Sequence, residues 1–195
     1  MNKKVIIGIV VAIVLIGGWA ISAYNGMVSS EEEATTAFAN LQSTYQRRAD
    51  LIPSLVETVK GYAGHEKGTL EGVVAARSKA TSINLDPENM TPEKMKQFQD
   101  AQGELSTALG RLIAINESYP DLKANENFRE LQVELESTNN RINEARNTYN
   151  KKVQDYNVKI RRFPNTLFAG MFGFEKMEKF EAEAGAEKAP EVKFN

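Results

Sequence analysis

From Val5 to Tyr24 the chain reads VIIGIVVAIVLIGGWAISAY, twenty residues without a charge. A helix of ~20 apolar residues spans the ~30 Å hydrocarbon core of a bilayer. Trp19 and Tyr24 fall at one end of the run, where amphipathic rings favour the membrane–water interface. A cleaved signal peptide is the competing reading. Its apolar stretch is normally ~7–15 residues and is followed by a small-x-small site. Ile21-Ser22-Ala23 fits that site poorly and the run is too long, so the segment is expected to remain as an anchor. Gly8, Gly17 and Gly18 do not form GxxxG, the spacing that brings membrane helices into close contact.

The charges around this run set its direction. Lys3 and Lys4 precede it, and no basic residue follows until Arg47. The positive-inside rule then keeps the N-terminal side in the cytoplasm and places the remainder outside it. Setting those two lysines aside leaves 22 basic side chains against 26 acidic ones. A balance of about −4 gives neither the positive field that nucleic acid requires nor a polybasic flank for anionic lipid. The chain has no cysteine, which removes disulfides, thiol catalysis, cysteine-ligated zinc and lipidation of an N-terminal cysteine.

Beyond the anchor, four stretches have helical periodicity. The first is expected to begin near Ser29 and Ser30, because Glu32 and Glu33 follow at capping-box spacing. Its stripe is Ala34, Ala37, Phe38, Leu41 and Tyr45, and Gly26 is the expected flexible point between it and the anchor. Asp50-Leu51-Ile52-Pro53 reads as a turn or kink opening the second stretch, which runs to Ile83 through glycines 61, 64, 68 and 72. NLDPENMTP is a loop, ending in Thr91 as N-cap and Pro92 as first helical residue. The third stripe, from Met95 to Tyr119, alternates steps of three and four without a break, and Pro120 stops it. The fourth starts near Asn125 to Asn127 and runs from Phe128 to Phe163, with two successive fours at 145–149–153. Such a stutter locally unwinds a supercoil. The expected fold is all-α: one N-terminal transmembrane helix, residues 1–26, then an antiparallel four-helix bundle of long helices, residues 27–174. Residues 175–195 read as a charged tail that begins as a short helix and ends in disorder.

Several longer strings carry a resemblance. They are Tyr24-Asn25-Gly26-Met27-Val28, Gln46-Arg47-Arg48-Ala49-Asp50-Leu51-Ile52-Pro53-Ser54-Leu55-Val56 and Val59-Lys60-Gly61-Tyr62-Ala63-Gly64-His65-Glu66. Ala76-Arg77, Tyr119-Pro120-Asp121-Leu122-Lys123-Ala124-Asn125, Phe128-Arg129-Glu130-Leu131-Gln132 and Arg161-Arg162-Phe163-Pro164-Asn165 follow in order. Together they resemble the LemA family of bacterial membrane proteins, over roughly residues 20 to 175. The resemblance implies an N-terminal membrane helix and a four-helix bundle, and no established catalytic activity. Phe38 departs from it, standing where such proteins often carry tryptophan in the equivalent helix.

Candidate chemistry is thin. His65-Glu66 opens like a zinc-protease motif, but Lys67, Gly68 and Thr69 follow and there is no second histidine. A surface histidine at a helix turn is the simpler reading. Glu130, Glu134 and Glu136 with Arg129 and Arg141 cannot complete a di-iron pattern without Glu-x-x-His pairs, and read as a solvated face. No GxxxxGK[ST] or GxSxG string occurs. No catalytic residue, metal ligand or cofactor is therefore expected.

The candidate partner contacts are Arg47, Arg48 and Asp50 beside one proline, Arg161 and Arg162 beside another, and Phe168 and Phe172 in LFAGMFGF. The arginines can bind a carboxylate or phosphate on a partner. Alternatively they cap helix C-termini and pair with Asp50 or Asp121. Leu167 to Phe174 would leave an apolar patch in water unless something covers it; the bundle's own end is the expected cover, with the bilayer interface or a partner as the alternatives. Asn116, Thr138 and Gln102 sit on apolar stripes, where they line a polar channel or fix register. The function expected is a non-catalytic, membrane-anchored scaffold or accessory protein of the bacterial cytoplasmic (inner) membrane. Its partner would be another envelope protein or itself, with no nucleic acid. The alternative is an envelope sensor that binds a small ligand between helices.

Overall fold

The computed structural model of the chain describes residues 2–87 and 90–181. Among these, every regular element is helical and none is a strand. The elements are α1 (Lys3–Tyr62), α2 (Lys67–Ser82), α3 (Pro92–Ala114), α4 (Pro120–Ala124), α5 (Glu126–Arg161) and α6 (Thr166–Ala169), with a 3-10 turn at Ile115–Glu117 after α3. The apolar run lies within α1, which is long and apolar enough there to cross a membrane.

α1 departs from expectation at three places. It does not begin near Ser29; it passes through Gly26, Ser29 and Ser30 without interruption. A capping box serves N–H groups that lack an upstream carbonyl, and here the apolar run already supplies those carbonyls. Ser30 is instead buried and accepts a hydrogen bond from Lys159, whose Nζ also donates to the Gly26 carbonyl at 2.9 Å. Nor does α1 turn at Asp50 to Pro53; Pro53 is inside it. The break comes later, at Ala63–Glu66, between two helices that the sequence reads as one. A Cβ on Gly64 in that turn would lie 3.1 Å from the Lys60 carbonyl oxygen, a tight contact that glycine avoids.

The passage through Pro53 has a specific cause. A proline has no N–H, so the carbonyl four residues earlier loses its helical donor. That carbonyl is Ala49's, and Ala49 is buried. Arg77 of α2 donates its Nε–H to this oxygen at 2.8 Å. A guanidinium from a neighbouring helix thus replaces the missing backbone donor.

The buried face of α1 comprises Met27, Ser30, Ala34, Ala37, Phe38, Leu41, Tyr45, Arg48, Ala49, Ile52, Leu55 and Val59. Followed through Ala37 its steps contain a pair of successive fours at 37–41–45, and followed through Phe38 at 30–34–38. α5 has its own pair at 145–149–153. The two irregularities lie at one level, where the Phe38 and Tyr149 rings are 5.3 Å apart. α1 packs mainly on α5, and α2 on α3. Partners on α5 fall in number as α1 rises: Lys159 with Gly26, Lys152 with Glu33, Tyr149 with Phe38, Glu134 with Arg47. At the end away from the apolar run, Ile52, Leu55 and Val59 meet Leu70 and Val73 of α2, Leu105, Leu109 and Leu112 of α3, and Phe128 of α5. Two turns join there: Tyr119 donates to Glu66 Oε1 at 3.1 Å and Asn125 to the Tyr62 hydroxyl at 2.9 Å. Thr91 caps α3 as expected, accepting from Lys94 N at 3.3 Å, and α5 starts where expected, with Asn125 accepting from Phe128 N at 2.8 Å.

If Arg77 serves the carbonyl that Pro53 orphans, their substitutions are coupled. Arg77→Met keeps most of the stem and removes the donor, and should cost about 1.5–3 kcal/mol, the range for hydrogen bonds to charged groups. In a Pro53→Ala background the Ala49 carbonyl regains a backbone N–H, so the same change should cost at least ~1 kcal/mol less. Equal costs in both backgrounds, measured by chemical unfolding, would remove this account of Pro53.

Candidate functional site

The sequence-predicted contact residues fall into three separate places. Arg48 does not face solvent. It is buried on the α1 stripe, three residues after Tyr45 and four before Ile52. Its guanidinium donates to Ser106 Oγ at 3.1 Å, Asn139 Oδ1 at 3.3 Å and Gln102 Oε1, and lies 5.5 Å from the centre of the Tyr45 ring. One side chain of α1 therefore binds groups from α3 and α5. The expected capping of a helix C-terminus fails here because α1 does not end here. Gln102 reaches on to the Ala80 carbonyl of α2 at 3.5 Å, which ties α2 into this layer. Thr138 is fully buried, while Asn116 is half-buried in the turn after α3.

Arg47, the adjacent residue, is exposed and pairs with Glu134 at 2.6 Å. A pair this wet contributes ~0–1 kcal/mol. Asp50 accepts from Gln46 at 2.7 Å. At the other end of the molecule, Arg161 folds back to donate its Nε–H to the Asn157 carbonyl at 3.0 Å, and Arg162 is exposed. Phe168 lies against Trp19, with ring centres 5.2 Å apart, and Phe172 against Tyr24 at 5.1 Å. The LFAGMFGF segment divides: Ala169 and Phe174 close the core with Met27, Tyr156 and Ile160, whereas Leu167, Met171 and Phe172 stay exposed. His65 is exposed in the turn after α1. Among the described residues no group of three His, Asp or Glu side chains is placed to hold a metal ion.

The feature that sequence reasoning missed lies on α5. Residues 175–181 are extended rather than helical and run along this helix as a strap. Asn157 donates to the Met177 carbonyl at 2.8 Å and accepts from the Met177 N–H at 3.0 Å. Asn150 repeats this on Phe180, at 2.9 Å in both directions. Each amide thus satisfies both backbone groups of one strap residue, as a neighbouring β-strand would. Tyr149 donates to the Glu178 carbonyl at 2.9 Å, while Arg146 and Gln99 donate to the Glu181 carbonyl at 3.0 and 2.9 Å. Phe180 is buried, with Tyr149 5.5 Å and Phe98 6.2 Å away. The signal was present as a Tyr-Asn pair repeated after seven residues, Tyr149-Asn150 and Tyr156-Asn157. Each tyrosine points into the core and each asparagine takes the strap. The strap thus uses part of the segment read as a charged tail; residues 182–195 lie outside the described residues.

Burial pushes the Tyr149 phenol well above the ordinary tyrosine range, and the Glu178 carboxylate adds to it. Burial also raises Tyr156, reinforced by Glu31, which accepts its hydroxyl proton at 3.1 Å. Glu33 is lowered and Lys152 raised by their mutual hydrogen bond and charge, at 2.7 Å.

Two outcomes follow. Asn150→Ala and Asn157→Ala should each cost about 1–3 kcal/mol by leaving strap groups unpaired. They should also speed amide exchange at Phe180 and Met177 respectively, while Asn140→Ala, on an exposed face, should do neither. Unchanged exchange in both variants would mean the asparagines do not hold the strap. Second, the tyrosines' raised folded values make stability pH-dependent in one direction. An unfolded tyrosine ionises near pH ~10, so their contribution is whole below that pH and is lost as pH rises through it and beyond. Unfolding midpoints should fall above pH ~10, and Tyr149→Phe should flatten that fall.

The model of the LemA family matches residues 37–194. Magnetosome protein MamQ of Magnetospirillum gryphiswaldense is 27% identical over 180 residues, a match covering 83% of this chain and 66% of that protein. Magnetosome protein MamQ 2 of Paramagnetospirillum magneticum is 26% identical over 181 residues, covering 81% and 64%. Protein LemA of Metamycoplasma hominis is 24% identical over 159 residues, covering 81% and 68%. The chain thus spans just under two thirds of the MamQ proteins' length. None of these names is that of an enzyme. By the extent of the family match, this helical chain with its apolar N-terminal helix belongs to the LemA family.

Proposed function

We propose that this chain is a single-pass, non-catalytic scaffold or accessory protein of the bacterial cytoplasmic (inner) membrane. Residues 1–26 are the anchor, with Lys3 and Lys4 on the cytoplasmic side and the helical domain on the extracytoplasmic side. The domain, an antiparallel four-helix bundle completed by the strap to Glu181, acts by offering its outer faces to another envelope protein or to a second copy. The observation that carries this reading is the continuity of α1. One helix holds both the apolar run and the bundle's longest buried stripe. At 1.5 Å per residue its 60 residues extend ~90 Å, so the bundle stands at a set attitude and distance from the bilayer. Such a device suits presentation of a surface. The names of its relatives, a magnetosome protein and Protein LemA, name no reaction.

A second reading rests on one cleft. About 730 Å³ of open space lies between α1 and α3, lined by Gln42, Tyr45, Gln46, Phe98 and Gln102. Its mixed aromatic and amide lining suits a small polar ligand, and an envelope sensor would use it.

Crosslinking the full chain in intact cells, with protease added to spheroplasts in parallel, tests both the role and the orientation. The expected results are a stoichiometric crosslinked partner and a domain cut away from a small protected anchor fragment. Protection of the whole chain until lysis would place the domain in the cytoplasm. Absence of any stoichiometric partner, together with a melting temperature raised by a small metabolite, would replace the scaffold by the sensor.

A further inference from the structure

The exposed apolar side chains around α6 do not sit at an arbitrary place on the bundle. Phe163 is 74% exposed, Leu167 58%, Met171 78% and Phe172 47%. Their neighbours Phe168 and Phe172 pack edge-on against Trp19 and Tyr24 of α1. These two are the aromatic residues at the end of the uncharged run. The patch is therefore continuous with the lipid-facing surface of that run, whose side chains are likewise exposed. From Trp19 to Tyr24 a helix rises ~7.5 Å, within the ~5–10 Å to which interfacial apolar segments enter a bilayer.

We propose that the connection from Phe163 through α6 to Phe172 is an interfacial clasp: it lies in the boundary of the bilayer beside α1, with its exposed apolar side chains in lipid. The inference rests on the reading that Val5–Tyr24 spans a membrane. Charge is distributed accordingly. Arg161 and Arg162 are exposed where the chain enters the clasp, and Lys159 holds the carbonyl of Gly26, just past the run, at 2.9 Å. Lys159 and Arg161 spend donors on backbone carbonyls, which leaves the exposed Arg162 to keep its apolar stem in the boundary and its head toward lipid phosphates. A cleft of about 650 Å³ at the same level has Trp19, Ser22 and Ala23 on one side and Lys159 and Arg162 on the other. Asp155, Gln154 and Asn165 complete its polar side, so it offers mixed polar groups at the level of Trp19 rather than a purely cationic site. A soluble protein cannot cover this patch without itself entering the bilayer, because Phe168 shares its level with Trp19. Anchored at two points around α1, the bundle would resist tilting about the membrane exit.

The absence of cysteine permits a direct test with single introduced labels. Leu167→Cys and Met171→Cys, with Leu15→Cys inside the run and Val133→Cys on an exposed face of α5, are spin-labelled. The full chain is reconstituted in phosphatidylcholine–phosphatidylglycerol vesicles. Collision with oxygen, which concentrates in lipid, is compared with collision with a water-soluble nickel chelate. Labels at 167 and 171 should favour oxygen several-fold more than the label at 133 does, and less than the label at 15. If 15 reports lipid while 167 and 171 match 133, the clasp is wrong and the anchor stands. Shielding of 167 and 171 from both reagents means that protein covers them, which also overturns the clasp. Water at 15 removes the anchor reading and the clasp with it.

Discussion

The hydrogen bond from Arg77 to the Ala49 carbonyl is the contact on which the long axis of the molecule depends. Pro53 takes one N–H out of α1 at a buried position, and an orphaned buried carbonyl costs as much as a lost hydrogen bond. Left without a donor, the helix would gain by ending near Asp50, as its local sequence suggests. The donor arrives from α2 only after the chain has turned at Ala63–Glu66 and come back. Continuity of α1 is therefore a tertiary property. It depends on α2 being packed in place, and α2 in turn is held by α3. At the end of the apolar run the counterpart is Lys159, which holds the Gly26 carbonyl and Ser30 from α5. A glycine inside a helix gives up ~1 kcal/mol relative to alanine, and this cation braces α1 where that weakness lies.

The middle of the bundle is organised by a matched irregularity. α1 and α5 both take two successive steps of four at the level where Phe38 meets Tyr149. One stutter alone would turn its helix's stripe away from the partner; two at the same level keep both stripes facing. The local unwinding is occupied by rings. Phe38, Tyr149, Phe180, Phe98 and Tyr45 follow one another with centres 5.0 to 6.2 Å apart. Phe180 reaches this layer from the strap, and the amides of Asn150 and Asn157 fix the strap on either side of Glu178. The aromatic layer and the strap are thus one structure. This explains why a segment with charged residues and no helical stripe of its own still packs in an ordered way.

What the sequence disclosed, and what it hid, follows from the range of the interactions involved. The apolar run, the stripe of α5, that of α3 as far as Ala114, and the cap at Thr91 are local patterns and were readable. Pro120 was read as the stop of α3, but α3 ends at Ala114 and Pro120 opens α4, where its missing N–H costs nothing. The start of a helix at Ser29 was misread because a capping box is informative only where a helix has to begin. The turn at Pro53 was misread because its remedy lies 28 residues away in sequence. Arg48 was grouped with Arg47 as a partner contact or a helix C-cap, although only Arg48 has stripe spacing to Tyr45 and Ile52. Position on the stripe was the better guide than charge. The strap was hidden for another reason: its backbone bonds to side chains, which leaves no periodicity in the strap itself. The trace was on the partner helix, in the repeated Tyr-Asn pair.

The Arg48 layer bears on which kind of function the bundle can have. Stripes of leucine alone allow two helices to slip by seven residues at little cost, since apolar packing is not directional. A buried guanidinium removes that freedom. Its partners Gln102, Ser106 and Asn139 come from two other helices. Slipping α3 by one heptad would set Arg48 against Leu109 and Ile113, or against Met95 and Gln99. The first choice strands a charge among hydrocarbon, which costs several kcal/mol. The layer adds little to stability for the same reason that it adds specificity, because desolvating the cation offsets most of what its hydrogen bonds return. A bundle that moved in register to report a ligand would have to break this layer at each transition. A bundle that only has to hold its faces in one arrangement has no such requirement, and the braced α1 carries that arrangement unchanged to the apolar run.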